Sequence, residues 1–166
     1  MSKGFPLLVG AGPLPELKMR QACEALAQAC QCSLTTVPSG ATPADVLQNN
    51  PAAKGLVRLS GDAARPTPQG DVSWLHALAD WRQTVLLLTT ADSDGTIPGM
   101  APAYAALCRE LNVPLLGLVQ LQGPWNGPAR RRDGLSWLGW IPDENHPDQT
   151  ECIDALARRL QLRSPG

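Results

Sequence analysis

Apolar, β-branched-rich runs recur along the chain at Pro6–Gly10, Ser33–Val37, Gly55–Leu59, Thr84–Thr89, Val113–Leu121 and Leu135–Ile141, and each reads as a strand. Between them the apolar positions change to helical spacing. Met19, Cys23, Leu26 and Cys30 form one such stripe, Tyr104, Leu107, Cys108 and Leu111 a second, and Ile153, Leu156 and Leu160 a third. A short helix is expected over Pro43–Gln48, with Thr42 as N-cap and Pro43 at its first position. Another is expected to start at Asp71 and to carry Trp74, Leu75, Leu78 and Trp81. Strands alternating with helices predict a three-layer α/β sandwich whose mostly parallel sheet of about six strands is covered on both faces.

The Pro/Gly-rich stretches Ala63–Gly70 and Gly123–Pro128 are too short to link domains, so residues 1–166 are expected to form one domain. An apolar content of 43% is enough for a core. Fifteen acidic residues against fourteen basic ones leave a formal charge of −1, and Arg130-Arg131-Arg132 is a lone basic cluster. That balance argues against nucleic acid or an anionic membrane as partner. No apolar run approaches a membrane span, and the N-terminal segment reads as the first strand of a cytoplasmic protein. Five cysteines are expected to be small apolar residues in a reducing compartment, with Cys23, Cys30, Cys108 and Cys152 on buried helix faces. Cys30-x-Cys32 lacks a second pair at zinc-site spacing, so no metal site is assigned.

Ligands of open parallel sheets sit outside the carboxyl ends of the strands. The exits to inspect are Gly10–Met19, Val37–Gly40, Ser60–Arg65, Thr90–Gly99, Gln120–Gly127 and Pro142–Glu144. The first reads GAGPLPELKM. Against a phosphate loop of the form GxxxxGK[ST], Gly12 and Lys18 keep their places, with Gly10 just ahead. Leu17 replaces the second glycine, Met19 replaces the magnesium-binding hydroxyl, Pro13 and Pro15 delete N–H donors, and Glu16 brings a negative charge. The plainer reading is a strand-to-helix turn in which Pro15 starts the helix and Lys18 is solvated.

The order of segments after the other strands resembles the dethiobiotin synthetases, ATP- and magnesium-dependent enzymes of biotin biosynthesis with a phosphate-loop fold. Thr35-Thr36-Val37-Pro38-Ser39-Gly40 is similar to the family's KPVxSG, and Ser60-Gly61-Asp62-Ala63-Ala64 ahead of Arg65-Pro66 to its EGAGG and following loop. Ser93-Asp94-Gly95-Thr96-Ile97-Pro98-Gly99 stands at the GLGTINH-like turn, Gly117–Leu121 at the GVVxN strand and Leu138–Pro142 at LGxIP. The resemblance implies a P-loop NTPase-like sandwich and a dimeric ancestor. It also places the departures on the chemical positions. Thr35 replaces the lysine that serves the substrate, Ser60 the metal-holding glutamate, Met19 the hydroxyl and Leu121 the asparagine near the base, leaving Lys18 alone.

Phosphoryl transfer without metal or that second cation loses most of its electrostatic stabilisation. The expectation is therefore a degenerate Walker A loop in a pseudoenzyme, with no cofactor. It would bind a protein partner, by self-association as a homodimer among other ways, or a small anionic ligand. The alternatives are an ATP- and Mg-dependent ligase of the dethiobiotin-synthetase type with relocated ligands, or another mononucleotide-binding α/β protein; for the last, Pro15 stands where GxGxxG needs a third glycine. No catalytic set is assigned. The residues expected at the rim of a pocket are Ser39, Ser60, Asp62, Asp92, Asp94, Trp125 and Pro142. Asp62 could substitute as a metal ligand or merely serve a turn. Asp92 and Asp94 form either a paired-carboxylate loop or ordinary turn chemistry. Trp125 either caps a pocket or pins its own loop against the sheet edge. His76 is expected at or near the surface of its helix, and Arg130–Arg132 as either an anion-binding cluster or a solvated loop.

Overall fold

A computed structural model describes residues 4–70 and 72–163. Six strands, β1 (Leu7–Gly10), β2 (Ser33–Pro38), β3 (Gly55–Ser60), β4 (Val85–Thr90), β5 (Leu115–Leu121) and β6 (Trp137–Ile141), join one sheet in the order β2-β3-β1-β4-β5-β6. Every pairing is parallel. The helices are α1 (Glu16–Ala29), α2 (Pro43–Leu47), α3 (Trp74–Asp80), α4 (Met100–Glu110), α5 (Gly127–Arg132) and α6 (Gln149–Arg163), with a 3-10 turn at Pro51–Ala53. The chain is thus an α/β sandwich of three layers, and all six expected strands form.

Strand order decides which helix covers which face. The crossover from β1 to β2 steps towards one edge of the sheet, and all later crossovers step the other way. Because such crossovers are right-handed, a reversal of step puts α1 on the opposite face from α2 to α5. The two cores follow this division. Met19, Cys23 and Leu26 of α1 pack with Leu156 and Leu160 of α6 over Leu8, Leu56 and Leu86. Trp74, Leu75 and Leu78 of α3 pack with Tyr104 and Cys108 of α4 over Leu7, Val57 and Leu87. Leu7 and Leu8 are fully buried because helices lie on both sides of β1, which explains its unbroken apolar run.

Three helices end alike. Gln31, Arg82 and Asn112 take positive φ, and the next N–H in each case reaches back to Ala27, Leu78 and Cys108 respectively, closing the last carbonyls of α1, α3 and α4.

Two expectations change. The helix carrying Trp74 begins at Trp74 rather than Asp71, because Ser73 caps it: its hydroxyl oxygen accepts the His76 N–H at 3.4 Å. Asp71 lies outside the described residues, and Trp81 follows the helix as its half-exposed C-cap. The stretch read as a loop at Gly123–Pro128 contains the start of α5, whose Asn126 side chain accepts the Ala129 N–H at 3.0 Å while Pro128 sits in the first turn. Among the described residues no helix is long and apolar enough to cross a membrane.

Candidate functional site

The exits of β1 and β6 lead to helices on one face, those of the other strands to helices on the opposite face. Neighbouring loops therefore diverge on both sides of β1 and again between β5 and β6, and crevices of this kind are where parallel sheets bind ligands.

At the first crevice the chain folds back on itself after Ala11 donates its N–H to the Leu88 carbonyl at 2.8 Å. Gly12 has φ +88, which favours glycine, and a Cβ there would lie 3.0 Å from Met100 Cε. A Cβ on Gly10 would meet the Gly12 carbonyl oxygen at 2.7 Å and Leu14 Cγ at 3.2 Å. Leu14 and Met100 thus fill the space over the two glycines that phosphate oxygens would need. The α1 helix starts on Pro15, which offers no side-chain cap, and its first-turn Glu16 accepts a hydrogen bond from Arg58 Nη2. That guanidinium hydrogen bond holds the Glu16 carboxyl below its ordinary range. Lys18 does not face Gly12's cover. It lines a separate groove of about 420 Å³ with Gln21, Gln122, Pro142, Glu144 and Gln149.

Beside this loop, a cleft of about 380 Å³ is lined by Pro13, Ser39, Gly40, Asp62, Arg65 and two further prolines. Its back wall is fixed from below. Trp74 Nε1 donates to the Ser39 carbonyl at 3.0 Å, and Gly61 passes so close that a Cβ would lie 2.4 Å from Ser39 Oγ. Asp62 Oδ1 accepts from the hydroxyl of buried Tyr104 and from the Ala64 N–H, and Oδ2 faces the exposed Arg65 guanidinium at 3.5 Å. Ser60 points away, its hydroxyl 3.5 Å from the Val37 carbonyl.

The second crevice is built differently. Gln120, fully buried, donates through Nε2 to the carbonyls of Gln122 at 2.8 Å and Pro124 at 3.1 Å, while its Oε1 accepts from Arg130 Nε at 3.3 Å. Arg130 also donates to the Gly95 carbonyl and to Asp133 Oδ2. Its guanidinium lies 5.1 Å from the Trp137 ring centroid and 6.0 Å from that of Trp125. Trp125 meets Trp137 edge-on at 5.8 Å and stacks on Trp140 at 6.3 Å, and His146 abuts Trp140 at 5.1 Å. Trp125 therefore pins its loop to the sheet edge. Asp94 lines a cleft with Asn126 and Arg130, but its carboxyl serves the turn: side-chain and backbone hydrogen bonds from Thr96 hold it below the ordinary range. Asp92 contributes backbone bonds to the same turn, its carbonyl accepting from Gly95 at 2.9 Å.

The expected site residues are thus distributed. Ser39 and Asp62 share a cleft, Lys18 and Pro142 share another, and Gly10 and Gly12 lie under apolar side chains. Sequence reasoning overlooked Gln120 and Arg58 and named Arg130 only as part of an exposed cluster, yet all three are buried. Only Asn126-Gly127-Pro128, an N-cap followed by proline in the first turn, signalled the helix that turns Arg130 inward. Cys23, Cys30 and Cys108 are buried as expected and their thiols are pushed up by desolvation, to about 12, 11 and 11; Cys152 is only partly buried. His76 is exposed, its Nδ1 2.9 Å from Ser73 Oγ.

No protein-family model matches this chain, and no characterised protein is similar to it at a significant level.

Proposed function

We propose that this chain is a non-catalytic relative of the dethiobiotin synthetases that keeps the fold as a binding module, with the cleft lined by Ser39, Asp62 and Arg65 as its ligand-facing surface. The observation that carries the reading is the packing of Leu14 and Met100 over Gly10 and Gly12. A triphosphate needs that space, open backbone N–H groups and a cation. Here the loop holds apolar side chains and two prolines, and the first-turn acid Glu16 holds the nearby Arg58 guanidinium.

The Mg·ATP that the resemblance implies does not fit these residues. Met19 is buried in the core, the Ser60 hydroxyl turns to the Val37 carbonyl, and Asp62 is engaged by Tyr104 and Ala64. Among the described residues no three His, Cys, Asp or Glu side chains converge. Magnesium wants an octahedral set of oxygens, so no phosphoryl-transfer step is assigned. The Asp62 cleft suits a small polar ligand instead. Asp62 and Ser39 can accept from amine or hydroxyl donors, and exposed Arg65 can reach an acidic group.

The test is a calorimetric and thermal-shift titration of the full chain with Mg·ATP. A ligand that binds the native state alone raises its stability, by about 2.7 kcal/mol at a hundredfold excess over Kd. No shift and no heat are expected. Saturable micromolar binding would overturn the reading, and its loss in Lys18→Ala would reassign the loop as a working phosphate site.

A further inference from the structure

Arg58 projects from β3 beneath the first turn of α1 and is 2% exposed. Its guanidinium has five N–H donors. Nε donates to Thr36 Oγ1 at 2.9 Å on the edge strand β2, and Nη2 donates to one oxygen of Glu16, but Nη1 is buried with no hydrogen-bond partner among the described residues. Among the described residues the other buried side-chain nitrogens and oxygens have partners, so this donor is an exception that calls for a physical cause. A carboxylate that engages a single nitrogen leaves unused the fork geometry for which arginine is suited. Glu16 is also the loosest part of the arrangement, with a side chain 57% exposed to solvent.

A second source of donors lies beside it. The α1 helix runs for fourteen residues from Pro15, which supplies no side-chain acceptor, and the only acid of the first turn is drawn aside to Arg58. The first-turn N–H groups and the positive end of the helix dipole are consequently left without an acid of their own, next to the residue that Arg58 holds, and the guanidinium also lies in the field of Cys23 and Glu24 further along α1. A tetrahedral oxyanion has enough acceptor oxygens to bridge both nitrogens of the fork, the Thr36 hydroxyl and the helix end, which a two-oxygen carboxylate cannot do.

We infer that Arg58, Thr36 and the N-terminus of α1 form a binding site for a small oxyanion of the phosphate or sulfate class, with Glu16 as the built-in carboxylate that occupies it until displaced. The site lies on the β2 and β3 side of α1. It uses Arg58 and Thr36 rather than the glycines under Leu14 and Met100 or the Asp62 cleft, so the response of the Arg58 resonance distinguishes it from Mg·ATP binding at the loop.

The experiment titrates the full chain with inorganic phosphate at constant ionic strength, using sodium chloride as the balancing salt, and follows the Arg58 side-chain Nε–H resonance together with the heat of binding. Glu16→Gln removes the competing charge and is expected to bind phosphate about tenfold more tightly than the natural sequence. Adding Thr36→Val, at an exposed strand position, is expected to return much of that gain. Glu16→Gln combined with Arg58→Lys keeps the charge, loses the fork and should not bind. The inference is overturned if Glu16→Gln binds no more tightly than the natural sequence, or if phosphate leaves the Arg58 resonance unmoved while shifting others. The resonance decides the matter even if the Arg58 variant fails to fold. Repeating the titration with sulfate and with acetate separates a tetrahedral oxyanion site from a general carboxylate site: equal affinity for acetate would also overturn it.

Discussion

The crevice beside β1 and the crevice between β5 and β6 arise from the same topological event, a change in the face to which neighbouring strands exit, yet they are finished by different chemistry. Beside β1 the loop is closed by Leu14 and Met100, and its glycines are needed because a Cβ on Gly10 would meet the Gly12 carbonyl oxygen at 2.7 Å and Gly12 sits at φ +88. Between β5 and β6 the loop is held by a buried amide, a buried guanidinium and three tryptophans. Apolar closure is non-directional and tolerates change in the residues that make it. The polar closure fixes each carbonyl it touches and is costly to leave half made. The segment with the most recognisable glycine pattern is therefore the less tightly specified of the two.

Removing the guanidinium should break the contrast most. Arg130→Met leaves Gln120 Oε1 and the Gly95 carbonyl without a donor and takes the guanidinium from Asp133, which keeps only Leu135 N–H and Trp137 Nε1; a loss of about 3–5 kcal/mol is expected. Urea denaturation checks it, the expected sign being a lower midpoint with an unchanged slope. A loss under 1 kcal/mol would mean that the network is ornamental. Next, Trp125→Ala removes two ring contacts and a cation–π contact, for about 2 kcal/mol by the same assay, and should raise proteolytic cleavage between Gln122 and Asn126.

How much of this was readable in the chain differs between the two crevices. The six strands and the helices carrying apolar stripes follow directly from periodicity, since the strands are short apolar runs and α1, α4 and α6 are long enough to show a period. The helix α5 spans six residues and contains a proline, too little for any stripe. Three consecutive arginines read as a unit, either an anion-binding cluster or a solvated loop, because no composition rule separates them. On a helix, successive side chains point about 100° apart, so one of the three can face the core while its neighbours face water. Arg130 does so, and only the tertiary contacts of Gln120 and Gly95 select it. Arg58 was hidden for a related reason: in a run of Val, Arg and Leu on a central strand, its partners lie 22 and 42 residues away in sequence. The closure of the first loop was equally distant, since Met100 belongs to the helix after β4.

Smaller perturbations sharpen the comparison at β1. Gly12→Ala imposes a side chain at φ +88 and crowds Met100, and about 1–2 kcal/mol is expected. Adding Met100→Ala should recover only the crowding part, because the backbone strain remains; full recovery would show that packing alone selects the glycine. The smallest effect is on acid stability. The Glu16 carboxyl is depressed chiefly by its hydrogen bond from Arg58, with the Arg58 and Arg20 charges adding to it. Its stabilisation is then complete above the ordinary glutamate value and is lost as pH falls through the lower folded value. Glu16 is more than half exposed, so the contribution is about 1 kcal/mol or less. Glu16→Gln should flatten that acid limb below pH 4.5, and an unchanged limb would detach Glu16 from Arg58 in solution.

The position of β1 at the centre of the sheet has a consequence for how the chain is made. Its residues pair with β3 around Val57 and with β4 around Val85. At roughly 5–20 residues per second of synthesis, a ribosome would need on the order of 4–16 s after making Leu7 before the second of those partners existed. Until β3 and then β4 have been made, a strand that ends with all four residues buried is a sticky nascent segment short of its partners. The amphipathic α1 that follows it is the one element at hand to shelter it. Chaperone handling of the emerging chain, or slowed translation ahead of β4, would thus bear on the yield of folded protein.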